Sequence, residues 1–273
     1  MSATATSNDG SSNRAPLVAA ALLAVLLVGA ALAPALAPYA MDALDLVNRR
    51  GAPSSLHWFG TDELGRDLLT RVLYGARVSL AIGLISALVS AAIGAAVGAI
   101  AGYAGGWADD ILMRITDAML AIPRLPLLMI TAAVLQPSVP LLVLLVGLAG
   151  WMETARVVRA EVLSLAARDF VAAARAMGAT PFRVILHHVL PGVLPAAAVA
   201  TTLAVGRGIL LESALSFFGV GVQPPTASWG NMLYQAQTTM TSEPWLAIFP
   251  GAMIFFTVLA CNAVGDAIGS ARG

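Results

Sequence analysis

The chain contains no lysine: all 15 of its basic residues are arginine. That absence rules out a GxxxxGK[ST] phosphate loop and any Schiff-base lysine. HExxH, GxSxG and CxxC are missing as well, which removes the zinc-protease, serine-hydrolase and dithiol signatures. The one cysteine, Cys261, excludes an intrachain disulfide and falls in an apolar run, where it reads as a packed thiol. Of three histidines, His187 and His188 are adjacent and so point to different helix faces, while His57 is remote. They make a poor metal set, and local hydrogen bonding is the expected role of the pair. Charge is scarce too, at 11% of residues against about a quarter in a soluble domain. A formal net charge of zero gives no case for nucleic acid.

What remains is apolar. Hydrophobic residues make up 59% of the chain, and mean hydropathy is +0.84. A bilayer core needs about 20 apolar residues per spanning helix. Six segments approach that length: 15–37, 79–103, 111–135, 140–157, 192–217 and 245–267. The expected fold is therefore an all-α polytopic membrane protein with six transmembrane helices. The third segment is the least clean, because it holds Arg114, Asp117 and Arg124. Pro123 and Pro126 should kink it. The first reads as an uncleaved span: its apolar stretch exceeds the ~7–15 residues of a signal core, although Ala35-Leu36-Ala37 resembles a cleavage site. Residues 1–14, rich in Ser, Thr and Asn, read as a disordered tail.

The arginines set an expected orientation. Arg156, Arg159, Arg168, Arg175 and Arg183 cluster between the fourth and fifth segments, which places that stretch on the cytoplasmic side together with both termini. Residues 38–70 are too polar to span and then lie outside. Gly60-Thr61-Asp62 and Gly65-Arg66-Asp67 there suggest tight, hydrogen-bonded turns. Trp229 and Trp245, on the same side, read as markers of the outer interface.

The basic stretch carries its own architecture. Asp169 N-caps a short helix, and Gly178 closes it in the left-handed conformation. Thr180 caps a second helix with Pro181 at its first position, and Pro191 is expected to end it. The product is a helical knob fixed to two membrane helices, suited to be pushed by another protein.

Other motifs follow in order along the chain. They are His57-Trp58-Phe59-Gly60-Thr61-Asp62-Glu63-Leu64-Gly65-Arg66-Asp67, Tyr74-Gly75-Ala76-Arg77-Val78-Ser79-Leu80 and Ala101-Gly102-Tyr103. Then come Leu211-Glu212-Ser213-Ala214-Leu215-Ser216-Phe217-Phe218-Gly219, Pro224-Pro225, Ser228-Trp229-Gly230 and Gly265-Asp266. In this order they resemble the C-type permease subunits of the dipeptide, oligopeptide and nickel ABC importers, of type I transmembrane fold.

The resemblance implies a domain running 75–267, preceded by a first helix and extracytoplasmic segment at 15–74 and followed by a tail at 268–273. It implies an EAA-type coupling loop at 168–191, in which Asp169, Ala173, Ala174, Arg175, Gly178 and Pro191 serve contact with a separate ATPase. The family's usual Glu is replaced here by Ala172, which keeps the helix, since alanine is the best helix former. It implies no catalytic residue and no cofactor on this chain, ATP and magnesium being held by the partner ATPase. The implied partners are a homologous B-type permease, ABC ATPase subunits and an extracytoplasmic binding protein in a bacterial-type plasma membrane. Cargo is a di- or oligopeptide, with nickel or another small solute as the alternative.

Ionisable groups within spans mark candidate substrate-path residues, because lipid burial of charge costs several kcal/mol. These are Arg124, Arg207 and Glu212; internal ion pairing is the competing role. Arg114 and Asp117, three apart on one helix, are expected to pair. Gly94, Gly98 and Gly102 recur every four residues and should let another helix approach closely, one of the same subunit being expected and a dimer seam the alternative. A secondary transporter or an intramembrane enzyme fits less well: no inverted repeat is visible, and no ionisable groups have catalytic spacing.

Overall fold

Asp67 begins the longest helix in the molecule. Its carboxylate accepts from the Thr70 N–H at 2.8 Å, and the helix then runs unbroken over Leu68–Ala104. The computed structural model describes residues 14–136 and 138–270; of the expected tail over residues 1–14, residues 1–13 lie outside them, as do the last three residues, and Arg14 already belongs to the first helix. Among the described residues there is no β-strand, only an isolated bridge between Thr61 and Asp67. Numbered along the chain, the helices are α1 (Arg14–Ala31), α2 (Ala33–Leu36), α3 (Leu68–Ala104), α4 (Gly106–Ala121), α5 (Arg124–Leu135) and α6 (Val139–Leu148). They continue as α7 (Trp151–Ala166), α8 (Asp169–Ala176), α9 (Pro181–Val184), α10 (Leu190–Phe217), α11 (Trp229–Ala236) and α12 (Trp245–Ser270).

This is a multi-pass membrane protein, although its spans differ from the hydropathy pattern. Three helical stretches are long and apolar enough to cross a bilayer: Leu68–Ala104, Pro181–Phe217 and Trp245–Ser270. Two more apolar stretches are bent pairs, α4 with α5 at 80° and α6 with α7 at 40°, each long enough to cross if taken as one span. The shorter apolar helix α1 makes the sixth element. The 80° bend falls at Ile122 and Pro123, as the prolines require: Pro123 has no N–H to continue the ladder of α4. Three boundaries move. The second span starts at Leu68 rather than 79, because the Asp67 cap outweighs the polarity of its first turns. The fourth extends to Ala166, so Arg156 and Arg159 sit in a helix and not in a loop. Helix α9 does not end at Pro191. It passes through a π turn, Ile185–Val189, directly into α10. The Leu190 N–H bonds back to the Ile185 carbonyl, and this widened turn absorbs the proline.

The glycine stripe decides the central packing. Gly94, Gly98 and Gly102 of α3 lie against the backbone of α7. A Cβ at Gly94 would stand 2.6 Å from the Trp151 carbonyl oxygen, and one at Gly102 would stand 2.9 Å from that of Arg159. A Cβ at Gly98 would press into the Ala155 carbonyl. The seam lies within the subunit, as the spacing suggested. Ser86 and Ser90 of α3 add hydrogen bonds to the Val143 and Gly147 carbonyls of α6 at 3.0 and 2.7 Å.

Residues 38–67 form an ordered cap on one end of the bundle. Gly60 and Gly65 take φ of +84° and +75°, which makes room for tight turns. Asp62 accepts from the backbone N–H groups of Leu64 and Arg66, and from the Arg66 side chain at 2.7 Å. His57 Nδ1 lies 2.9 Å from Asp67, and the Phe59 ring stacks on Phe249 of α12 at 3.8 Å. Asp45 is held below the usual carboxylate range, first by the Asn48 side-chain hydrogen bond.

Candidate functional site

Two places bring chemistry together: the knob at 169–189, and a charged face where α5, α7 and α10 meet.

The knob is rigid because one side of it is core. Val171, Ala174, Val184 and Val189 are buried with Val158, Val162 and Leu165 of α7, Val193 of α10 and Ala99 of α3. Gly178 takes φ +83° with open space around it, so its requirement is conformational rather than steric. Thr180 accepts from the Arg183 N–H. Elsewhere the knob exposes three large apolar side chains: Met177 is 82%, Phe182 74% and Phe170 43% accessible. An exposed apolar crown on a base of buried valines suits a docking surface.

The expected coupling residues divide accordingly. Asp169, Ala173 and Gly178 are exposed, as is Ala172. Ala174 is buried and packs in the core beneath the knob. Pro191 lies beyond the knob, in the first turn of α10. The Arg175 side chain is outside the described residues. Phe170, Met177 and Phe182 were missed. The available signal was an apolar side chain on each polar flank of the loop, where helix periodicity calls for none.

On the charged face, Arg124 and Arg207 converge on one carboxylate, that of Glu153. Arg124 Nη2 donates to Glu153 Oε1 at 2.8 Å, and Arg207 Nη2 lies 3.0 Å from Oε2. Pro123 is the N-cap of α5, so Arg124 stands at the head of that helix beside the bend, while the break after α6 places Glu153 in the first turn of α7. Glu153 was not among the expected residues. It is the only acidic residue between Asp117 and Glu161, a signal that was available. Asp117 pairs with Arg156 of α7 rather than with Arg114, since a facing helix offers a better-placed partner than its own turn. Arg159 and Asp109 form a second α7–α4 pair, with the Arg159 Nη2 bond at 2.6 Å.

Glu212 lies elsewhere. It is fully buried and accepts hydroxyl hydrogen bonds from Ser79 at 3.1 Å and Ser216 at 2.8 Å. Ser79 in turn accepts from the Trp229 N–H, and Ser216 from the Val222 N–H. The carboxylate therefore ties α3, α10, α11 and the loop between the last two. It is a structural hub with no open side, and it does not share a surface with Arg124 and Arg207. Trp229 belongs to the same hub. It is completely buried, with Nε1 donating to the Val72 carbonyl at 3.1 Å, so it does not mark a membrane interface. Among the described residues no group of three or more His, Cys, Asp or Glu can hold a metal ion.

A helical membrane body with bent spans, an intramembrane charged face and a protruding helix–glycine–helix knob defines a transport subunit built to work with other chains. Residues 94–271 match the family described as the binding-protein-dependent transport system inner membrane component, and the chain belongs to that family. It is 40% identical over 258 residues to a Brucella suis biovar 1 protein named "Putative peptide permease protein", covering 94% of this chain and 85% of that one. It is 42% identical over 253 residues to the glutathione transport system permease protein GsiD of Shigella flexneri serotype 5b, covering 92% and 84% respectively. GsiD of Escherichia coli O6:K15:H31 is 40% identical over the same coverage.

Proposed function

We propose that this chain is one permease half of an ATP-driven importer for di- or oligopeptides, glutathione-like peptides included. It pairs with a homologous B-type permease around a shared pore and receives cargo from an extracytoplasmic binding protein. ATP and magnesium are held by partner ATPase subunits. The knob, both termini and the coupling end of α7 and α10 face the cytoplasm, and residues 38–67 face outward. The observation that carries this reading is the knob itself: an apolar crown on a buried valine base, continuous through the π turn with α10. Closure of the ATPases on ATP displaces the crown, and a rigid connection passes that displacement to α10 and α7. The pore then changes its accessible side as a rigid-body transition.

Gly178→Val tests this directly. A β-branched residue at φ near +80° is strained by about 1–3 kcal/mol, and the strain falls on the loop with no buried neighbour disturbed. ATP-driven peptide uptake should be lost while the amount of assembled complex stays normal. Full uptake by that variant would remove the coupling assignment. A reporter fused at Gly51 checks the orientation, with a cytoplasmic signal there inverting the topology.

A further inference from the structure

Arg124, Glu153 and Arg207 carry one surplus positive charge, and they lie within helices long and apolar enough, singly or as bent pairs, to cross a membrane. Arg207 lies ten residues before the end of α10 at Phe217, about 15 Å along the helix axis, in a bilayer whose apolar core is about 30 Å thick. The Glu153 and Arg207 side chains are each 39% exposed and Arg124 21%. Three part-exposed charges at that depth are costly against lipid, so this face borders water or protein.

The surroundings leave the guanidinium groups as the available donors. The neighbouring hollow is lined by Arg124 and Arg207 themselves together with Ser86, Ser90 and otherwise apolar residues or glycine, and both serine hydroxyls are already bonded to helix carbonyls. Each arginine uses a single terminal nitrogen on Glu153, one on each carboxylate oxygen. Among the described residues neither arginine has another ion pair. A guanidinium has five N–H donors in a planar fork suited to a carboxylate.

Resting on the importer reading above, we infer that this triad is a carboxylate-selective station on the substrate path: the peptide's carboxylate engages the free donors of Arg124 and Arg207, and Glu153 is the internal counter-ion it must displace. Glu153 holds the two cations together when cargo is absent and competes with the cargo carboxylate when it is present. A site of net +1 charge also disfavours a bare divalent cation.

The test uses the complete importer in proteoliposomes with its binding protein. ATP-driven uptake of a labelled dipeptide is compared with uptake of the same dipeptide amidated at its C-terminus. The binding protein's own preference is common to all variants, so the change in the acid-to-amide ratio from wild type isolates this chain. Arg207→Gln lowers the triad charge to zero and leaves the 2.8 Å Arg124 pair in place; Glu153→Gln raises it to about +2 by the loss of one carboxylate. The ratio should fall about three- to tenfold in the first and rise in the second, with ATP turnover retained. Opposite shifts from two substitutions at one ion pair are not expected of a merely structural contact. Equal ratios in all three proteins, or shifts in the same direction, would overturn the inference. Absence of ATP-driven uptake of either peptide by the wild type would overturn the importer reading itself. If Arg207→Gln does not assemble, Arg124→Gln takes its place, since it leaves the 3.0 Å Arg207 pair.

Discussion

Glu212 and Glu153 are carboxylates on neighbouring membrane helices with opposite surroundings. Around Glu212 every element is closed: the hydroxyls of Ser79, Ser213 and Ser216 donate to it, and Ser79 and Ser216 are themselves fixed by backbone N–H groups. Around Glu153 the partners are two long, part-exposed cations, and one side stays open. Buried polar groups that are fully satisfied give rigidity. Charges at membrane depth with an open side give a site. A formal charge in a span therefore says little about function until its neighbours from other helices are known.

The largest expected effect breaks the closed side. Glu212→Leu leaves the Ser79 and Ser216 hydroxyls without an acceptor and should cost about 2–4 kcal/mol. Thermal unfolding of the purified complex would show it, and uptake should fall only as far as the assembled complex does. A stable Glu212→Leu complex that fails to transport would move Glu212 back onto the substrate path. Ser79→Ala removes one bond to the carboxylate and strands the Trp229 N–H, at about 1–3 kcal/mol. It should loosen α11 specifically, seen as faster amide exchange around Trp229.

The smallest stability effect belongs to the open side. Glu153→Gln should change the melting temperature less than Glu212→Leu, because its partners are part-exposed and the open side lets water screen them. Its signature is the shifted acid-to-amide ratio. A large melting shift from Glu153→Gln, matching that of Glu212→Leu, would erase the contrast between the two sites.

Much of the architecture was readable beforehand because its causes are local. Gly178 and Thr180–Pro181 specify a turn and a helix start by backbone chemistry alone. The four-residue glycine period gave a close helix seam, and Pro123 gave a kink. The misses share another cause. The early start of α3 depends on a single cap, Asp67, hidden in a polar stretch. The passage through Pro191 depends on a π turn that no periodicity announces. Asp117 chose Arg156 and Glu153 gathered two arginines, because both partners come from distant parts of the chain.

The amino-acid sequence by itself determined that this chain is a membrane protein without an ATP-binding lysine loop, and that it presents a knob between two spans. Apolar length, residue absence and turn chemistry are properties of neighbouring residues, so they need no fold to be read. The tertiary structure alone decided which intramembrane charges are sealed and which are available. That distinction is electrostatic: it depends on what faces a charge across a helix interface, over distances of about 3 Å between residues as far apart in sequence as Ser79 and Glu212.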